Sequence, residues 1–193
     1  MPSPKSDLIV RPALSSDLPA LARLGAALAR AHHDMDPDRF FVTPSLEEGY
    51  EWWLGKERGN RKAIVLAAVR RARGRERVVG YAYGRLEPRD WNTLREKCGV
   101  GIDLMVEPQA RGRGIGGRLV AELLRRLAAK GAPRIVIQVA HRNRAAQRVF
   151  SHLGFRSTML EMTMETGGLR KDEAPSTSSV ARRRGSLSRS PRA

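Results

Sequence analysis

The chain has one cysteine, Cys98, so no disulfide closes within it. A lone thiol agrees with a reducing compartment, and a cytoplasmic location is the expectation. No apolar run approaches the roughly 18–20 residues that span a bilayer, so no membrane partner is expected. Behind Met1-Pro2-Ser3-Pro4-Lys5-Ser6 there is no apolar stretch of the kind a secretory leader carries. Aromatic residues make up only 5%, and they are not interleaved with basic ones as in proteins that stack single-stranded nucleic acid. There is no internal repeat. Hydrophobic residues still reach 41%, which gives a 193-residue chain enough for one core plus tails.

Acidic residues are also short, 20 against 36 basic, for a net charge of +16. Residues 169–193 hold seven basic and two acidic side chains, a net +5, which leaves +11 on the rest. Solvated arginine-rich faces, partly useful for holding a polyanionic ligand, account for this charge, and nucleic acid is not an expected partner. From Gly167 onward apolar periodicity is lost. Arg182-Arg183-Arg184 and six serines stand there with Pro175 and Pro191. Such a segment buries too little to offset its ordering entropy, so 167–193 reads as a disordered basic tail. Residues 1–7 read as a flexible N-terminus and 8–166 as the folded domain.

Within that domain, residues 8–11 read as a first strand. Ser15-Ser16-Asp17 offers capping chemistry for a helix with Leu18, Leu21, Ala22, Gly25, Leu28 and Ala29 at helical spacing. Thr43-Pro44 starts a second helix, with Leu46, Tyr50, Trp53 and Leu54 on one face. Residues 63–69 and 78–86 form an antiparallel hairpin, and residues 100–106 a fourth strand that Pro108 ends. A third helix carries Ile115, Leu119, Leu123 and Leu127, and Gly131 with Pro133 stops it. Residues 135–139 make a fifth strand, parallel to the fourth because a helix joins them. Residues 143–153 make a last helix, and 155–164 return as a terminal strand or strands.

What is most distinctive lies between the fourth strand and the third helix. Val106-Glu107-Pro108-Gln109-Ala110-Arg111-Gly112-Arg113-Gly114-Ile115-Gly116-Gly117 places four glycines where a helix begins. Free backbone N–H groups there, at the positive end of the helix dipole, suit a pyrophosphate. Gly112-x-Gly114-x-x-Gly117 has dinucleotide spacing, but no acidic residue closes the following strand to hold a ribose. A Walker loop needs Gly-Lys-Ser/Thr, and none follows.

Arg111-x-x-Gly114-x-Gly116 resembles the acyl-CoA signature of the GCN5-related N-acetyltransferases, the GNAT family. Ile102-Asp103-Leu104-Met105-Val106-x-Pro108 is similar to that family's fourth strand, and Asn143-x-x-Ala146-x-x-x-Phe150-x-x-x-Gly154-Phe155 to the segment after its fifth. Val10-Arg11-Pro12-Ala13 with Asp17-Leu18-Pro19 resembles its opening. The resemblance covers about residues 8–164. It implies a single α/β (α+β) domain with a twisted, mainly antiparallel mixed sheet of about six or seven strands and about four helices. Parallel strands four and five are splayed around the cofactor.

The resemblance also implies a reaction, direct attack of an amine on the thioester of acetyl-CoA. Leu104, Met105 and Val106 would pair with pantetheine. Arg111, Gly112, Arg113, Gly114, Ile115, Gly116 and Gly117 would hold the pyrophosphate. Asn143 would bond the pantetheine side, with Ala146 and Phe150 beside it. The N–H of Met105 or a neighbour would steady the developing oxyanion. Asp103 is the first candidate for the base, ahead of Glu87 and His141. The family's usual acid is a tyrosine where this chain has Phe150, so water, Ser151 or His152 would protonate the thiolate. Without that tyrosine, a non-catalytic acyl-CoA-binding module stays open as an alternative. His33, Tyr50, Trp53, Asp90 and Trp91 are candidate linings for an unidentified amine acceptor, while His32 and His33 both have the look of surface residues. No metal site is expected, and a homodimer is compatible with the resemblance.

Overall fold

The computed structural model describes residues 7–72 and 74–166. The expected tail at 167–193 and residues 1–6 of the expected flexible N-terminus lie outside them, while Asp7 already belongs to a strand. The chain divides into two units, the first ending at Ser157 and the second starting at Thr158. The first holds β1 (Asp7–Pro12), α1 (Leu18–Met35), α2 (Leu46–Arg58), β2 (Ala63–Ala72), β3 (Arg75–Glu87), β4 (Cys98–Val106), α3 (Ile115–Ala129), β5 (Ile135–Ile137) and α4 (Arg144–His152). Short 3-10 turns at Ser15–Asp17 and Pro108–Ala110 precede α1 and the glycine run.

The sheet order is β1-β2-β3-β4-β5, antiparallel except for the β4–β5 pair. Both faces are covered, which explains why β2 reads as an unbroken apolar run. Val65, Ala67 and Val69 join Leu21, Leu28, Leu54, Tyr81, Tyr83 and Met105 on the α1/α2 face. Ile64, Leu66 and Ala68 join Ala82, Leu119, Leu123 and Leu127 on the α3 face. Leu21, Leu66, Leu119 and Leu127 are completely shielded, and each such leucine is worth on the order of 2 kcal/mol of transfer free energy. No helix among the described residues is long and apolar enough to cross a membrane.

Helices α1 and α2 meet through a close approach at Gly25. A Cβ there would lie 2.3 Å from Cδ1 of the Tyr50 ring. Gly25→Ala is therefore expected to lower stability by about 1–3 kcal/mol through overpacking. Thermal unfolding reads this, and an unchanged midpoint would mean that Tyr50 moves aside freely.

Several expectations need correction. Among the described residues the sheet has five strands, not six or seven. Residues 155–164 form no strand. In the second unit residues 158–166 are described, and Met159, Leu160, Met162 and Met164 are exposed there. Helix α2 starts at Leu46 after Ser45 rather than at Pro44. Asp17 does not cap α1 with its side chain. Its carboxylate accepts the Leu14 N–H at 2.7 Å and pairs with Arg11 at 2.6 Å, tying α1 to β1. Strand β5 stops at Ile137 instead of continuing to Val139.

Candidate active site

The site begins with an irregularity in β4. Tyr83 faces Asp103 and Gly84 faces Gly101, so Ile102 is an extra residue, a β-bulge. Side chains alternate along a strand, and one inserted residue reverses which face the following ones occupy. Before the bulge, a Cβ on Gly99 would meet Leu127, and one on Gly101 would approach Leu123, both on the α3 face. After it, Met105 is buried in the α1/α2 core. The bulge thus turns Asp103 away from the leucines of α3 and toward α1 and α2.

The same bulge marks where the sheet opens. Strand β5 pairs with β4 only at Gly99, Val100 and Gly101. From Ile102 onward β4 continues without that neighbour. This is the expected splay, and a groove runs through it. Leu28 and His32 of α1 line the groove together with Val120, Leu123 and Leu124 of α3, which is feasible only where the sheet between them is open. Gly101, Asp103, Leu104, Gln138, Val139, Asn143, Ala146 and Phe150 complete it.

Backbone direction decides which strand groups are free. Glu107 N–H donates to the Val79 carbonyl at 2.9 Å. Hydrogen-bonded pairs recur at every second residue of an antiparallel ladder, so Met105 is paired with Tyr81 in the same way. The Met105 N–H therefore points into the sheet, which corrects its assignment to the oxyanion. The N–H groups of Leu104 and Val106 face the opening. The Val106 carbonyl is on that side too, and Arg111 Nε donates to it at 3.0 Å.

Past β4 the chain enters the glycine run. Ala110 is buried and anchors it. Gly112 and Gly114 have φ of 73° and 72°, the left-handed region that side chains disfavour. Helix α3 starts at Ile115, and its first bond runs from the Arg118 N–H to the Gly114 carbonyl at 3.1 Å. The N–H groups of Ile115, Gly116 and Gly117 precede that ladder and have no partner within the helix. With the helix dipole behind them they form an anion seat. Of the two arginines, Arg113 is exposed. Arg111 is committed to β4 instead, its second donor group lying 3.7 Å from Sδ of Met105.

Asp103 is half-buried, and its Oδ2 accepts from the Tyr81 hydroxyl at 2.7 Å. Burial raises its pKa from 3.8 to about 6, and the Tyr81 bond opposes that rise. Tyr50, from α2, has its own pKa raised by burial and then by the charge of Asp103. His32 stacks on Phe40 with ring centres 5.0 Å apart, and burial lowers its pKa. It lines the groove, so its assignment to the surface is corrected. The spacing Leu21, Gly25, Leu28, His32 continues one helical stripe and carried that signal.

Other candidates fall elsewhere. Glu87 closes the far end of β3 opposite Cys98, four residues beyond Tyr83, and its carboxylate pairs with Arg85 at 2.8 Å. His141 is exposed, and its carbonyl accepts from Gln147 Nε2 at 2.8 Å. His33 Nδ1 donates to the Phe40 carbonyl at 2.6 Å, fixing the end of α1. Asp90 holds a turn, accepting from the Asn92 N–H at 2.9 Å and the Thr93 hydroxyl at 2.8 Å. Trp91 is 74% exposed beneath the Arg89 guanidinium. Trp53 stands edge-on to both Tyr50 and Tyr83 and packs as core, with Tyr50 the one acceptor candidate near Asp103. Asn143 caps α4, its Oδ1 accepting from the Ala146 N–H at 3.0 Å, while its side chain also borders the groove. Phe150 is not a core residue: α4 buries no residue fully, and the ring borders the groove edge-on to Phe155.

The fold thus sets an opened sheet beside a left-handed glycine turn and a helix start. The chain belongs to the acetyltransferase (GNAT) family, whose description matches residues 26–155. It is 32% identical over 148 residues to a mycothiol acetyltransferase from Nocardioides sp., a match covering 73% of this chain but only 46% of that protein. It is 28% identical over 153 residues to an N-acetyltransferase from Streptomyces griseus, covering 76% of this chain and 73% of the other. An aminoglycoside N-acetyltransferase solved with CoA shares the fold, with a TM-score of 0.64, 17% identity, and coverage of 86% of this chain and 97% of that one.

Proposed function

We propose that the domain transfers the acetyl group of acetyl-CoA to a primary amine, on a small molecule or on a protein N-terminus or lysine. The observation that carries this reading is the bulge at Ile102. It frees the backbone of Leu104 and Val106 at the opening and turns Asp103 into the same groove. The glycine run and the first turn of α3 would seat the pyrophosphate. Leu104 and Val106 would pair with the pantetheine arm, and one of their N–H groups would donate to the thioester oxygen as charge develops on it. The likeness to the N-acetyltransferase from Streptomyces griseus favours an amine as acceptor.

Asp103 would take the proton that an ammonium must lose before it attacks. A carboxylate with a pKa of about 6 is largely ionised at neutral pH yet basic enough for the task. The amine nitrogen then bonds to the carbonyl carbon, the carbon–sulfur bond breaks, and water protonates the departing thiolate. Phe150 has no proton to give. A thiol pKa near about 8.5 makes that departure undemanding.

Isothermal titration with acetyl-CoA, followed by an amine panel read by release of free CoA thiol, tests this. Binding together with amine-dependent thiol release is expected, and absence of binding at high micromolar concentration would overturn it. Binding without release to any amine would favour a non-catalytic acyl-CoA-binding module, the reading that Phe150 supports.

A further inference from the structure

The Tyr81 hydroxyl has one partner of consequence. Tyr81 is completely shielded in the α1/α2 core and sits on β3, two residues from the position that faces Asp103. Residues on such a diagonal lie about 7–8 Å apart, within reach of a tyrosine but of few other side chains. The phenol spans that gap and ends 2.7 Å from Oδ2. A half-buried aspartate at the mouth of a groove has two χ angles free to turn, and a rigid donor rooted in the core removes that freedom. Oδ2 is occupied from inside the protein, which would leave Oδ1 as the oxygen for an acceptor in the groove.

We propose that Tyr81 is the positioning residue of this site, selecting which oxygen of Asp103 meets the acceptor amine and holding the carboxylate in its ionised form. The proposal rests on the reading of Asp103 as the base. Tyr81 does not touch the acceptor itself. The groups facing Asp103 are Tyr81 and Tyr83 from β3, Tyr50 from α2 and His32 from α1, the last sharing its groove, while the Tyr83 hydroxyl is engaged by Glu57. Helix α3 offers only Val120, Leu123 and Leu124 there, and α4 offers Asn143, Ala146 and Phe150, none of which titrates. The Tyr81 hydrogen bond thus favours the ionised carboxylate and works against burial.

Tyr83 supplies an internal control. It is equally shielded, on the same strand and face, but its hydroxyl donates to Glu57 instead. The experiment compares Tyr81→Phe and Tyr83→Phe in two measurements. One is a carbon-13 titration of aspartate carboxyls in the full chain, assigned with Asp103→Asn, which needs neither acetyl-CoA nor an acceptor. The other is the pH profile of amine-dependent thiol release. Tyr81→Phe is expected to move both the Asp103 titration and the acid limb of kcat up by about one pH unit, since the lost bond stabilised the charged form. Acetyl-CoA affinity should stay within twofold, and Tyr83→Phe should leave both curves in place.

An Asp103 titration that does not move in Tyr81→Phe would overturn the proposal, as would an equal movement in Tyr83→Phe. A shifted titration with an unshifted acid limb would instead remove Asp103 as the base while leaving the Tyr81 contact intact. The failure of this inference and the failure of the reading beneath it are therefore told apart.

Discussion

Gly114→Glu is expected to lose at least 100-fold in acetyl-CoA affinity. Two effects act together. Gly114 sits at φ 72°, where a side chain costs about 1–2 kcal/mol. A glutamate also brings negative charge to the N–H groups of Ile115, Gly116 and Gly117, where the pyrophosphate would lie, and competes for them. Gly114→Ala separates the two. An ideal Cβ at this position meets nothing within 4 Å, so alanine adds strain without a clash. Alanine is expected to lower stability by about 1 kcal/mol and to weaken binding by less than tenfold. Isothermal titration measures both variants. Equal losses would assign the effect to backbone strain, and intact binding in the glutamate variant would move the pyrophosphate elsewhere.

That prediction rests on the part of the molecule most legible in the sequence. A strand, a proline, a cluster of glycines and an amphipathic helix with Ile115, Leu119, Leu123 and Leu127 on one stripe each constrain one another. The helical period and the helix-joined order of strands together require β4 and β5 to be parallel, as they are. Local patterns of this kind survive folding because the energies behind them are local. The stop at Gly131, with φ 82°, is another such case.

What the sequence could not show depends on register. Residues 100–106 read as one continuous strand, and strict alternation would put Asp103 on the same face as Gly101. The bulge at Ile102 reverses this, and no residue type in the stretch announces it. The direction of the Met105 N–H has the same origin, since the orientation of a backbone group in a ladder follows from pairing and not from identity. The link from Tyr81 to Asp103 exists only once β3 and β4 are aligned.

Asp103→Asn is expected to slow amine-dependent turnover about 10²–10⁴-fold while leaving acetyl-CoA affinity within twofold. Asparagine keeps the shape and still accepts the Tyr81 bond, so the loss isolates the proton. The same substitution has a stability signature of opposite sign. Burial raises the folded-state pKa of Asp103 to about 6 from 3.8, so the native state holds this proton more tightly than the unfolded chain. Below the unfolded value both states are protonated and the site costs nothing. Between the two values stability falls as pH rises, and above about 6 the full penalty of a buried charge is present. Two units amount to about 3 kcal/mol, which water reaching the half-buried carboxylate reduces to about 1–2 kcal/mol. Asp103→Asn should therefore unfold at a higher temperature than the wild type near roughly pH 8, and at the same temperature near roughly pH 4. Thermal melts across that range, set beside the turnover measurements, check both halves. A variant that keeps its rate would remove Asp103 as the base. One that loses its rate without gaining stability at alkaline pH would show that the groove solvates this carboxylate far better than its burial suggests. If Asp103 is the base, the same dehydration that destabilises the carboxylate is what would make it basic enough to take the amine proton.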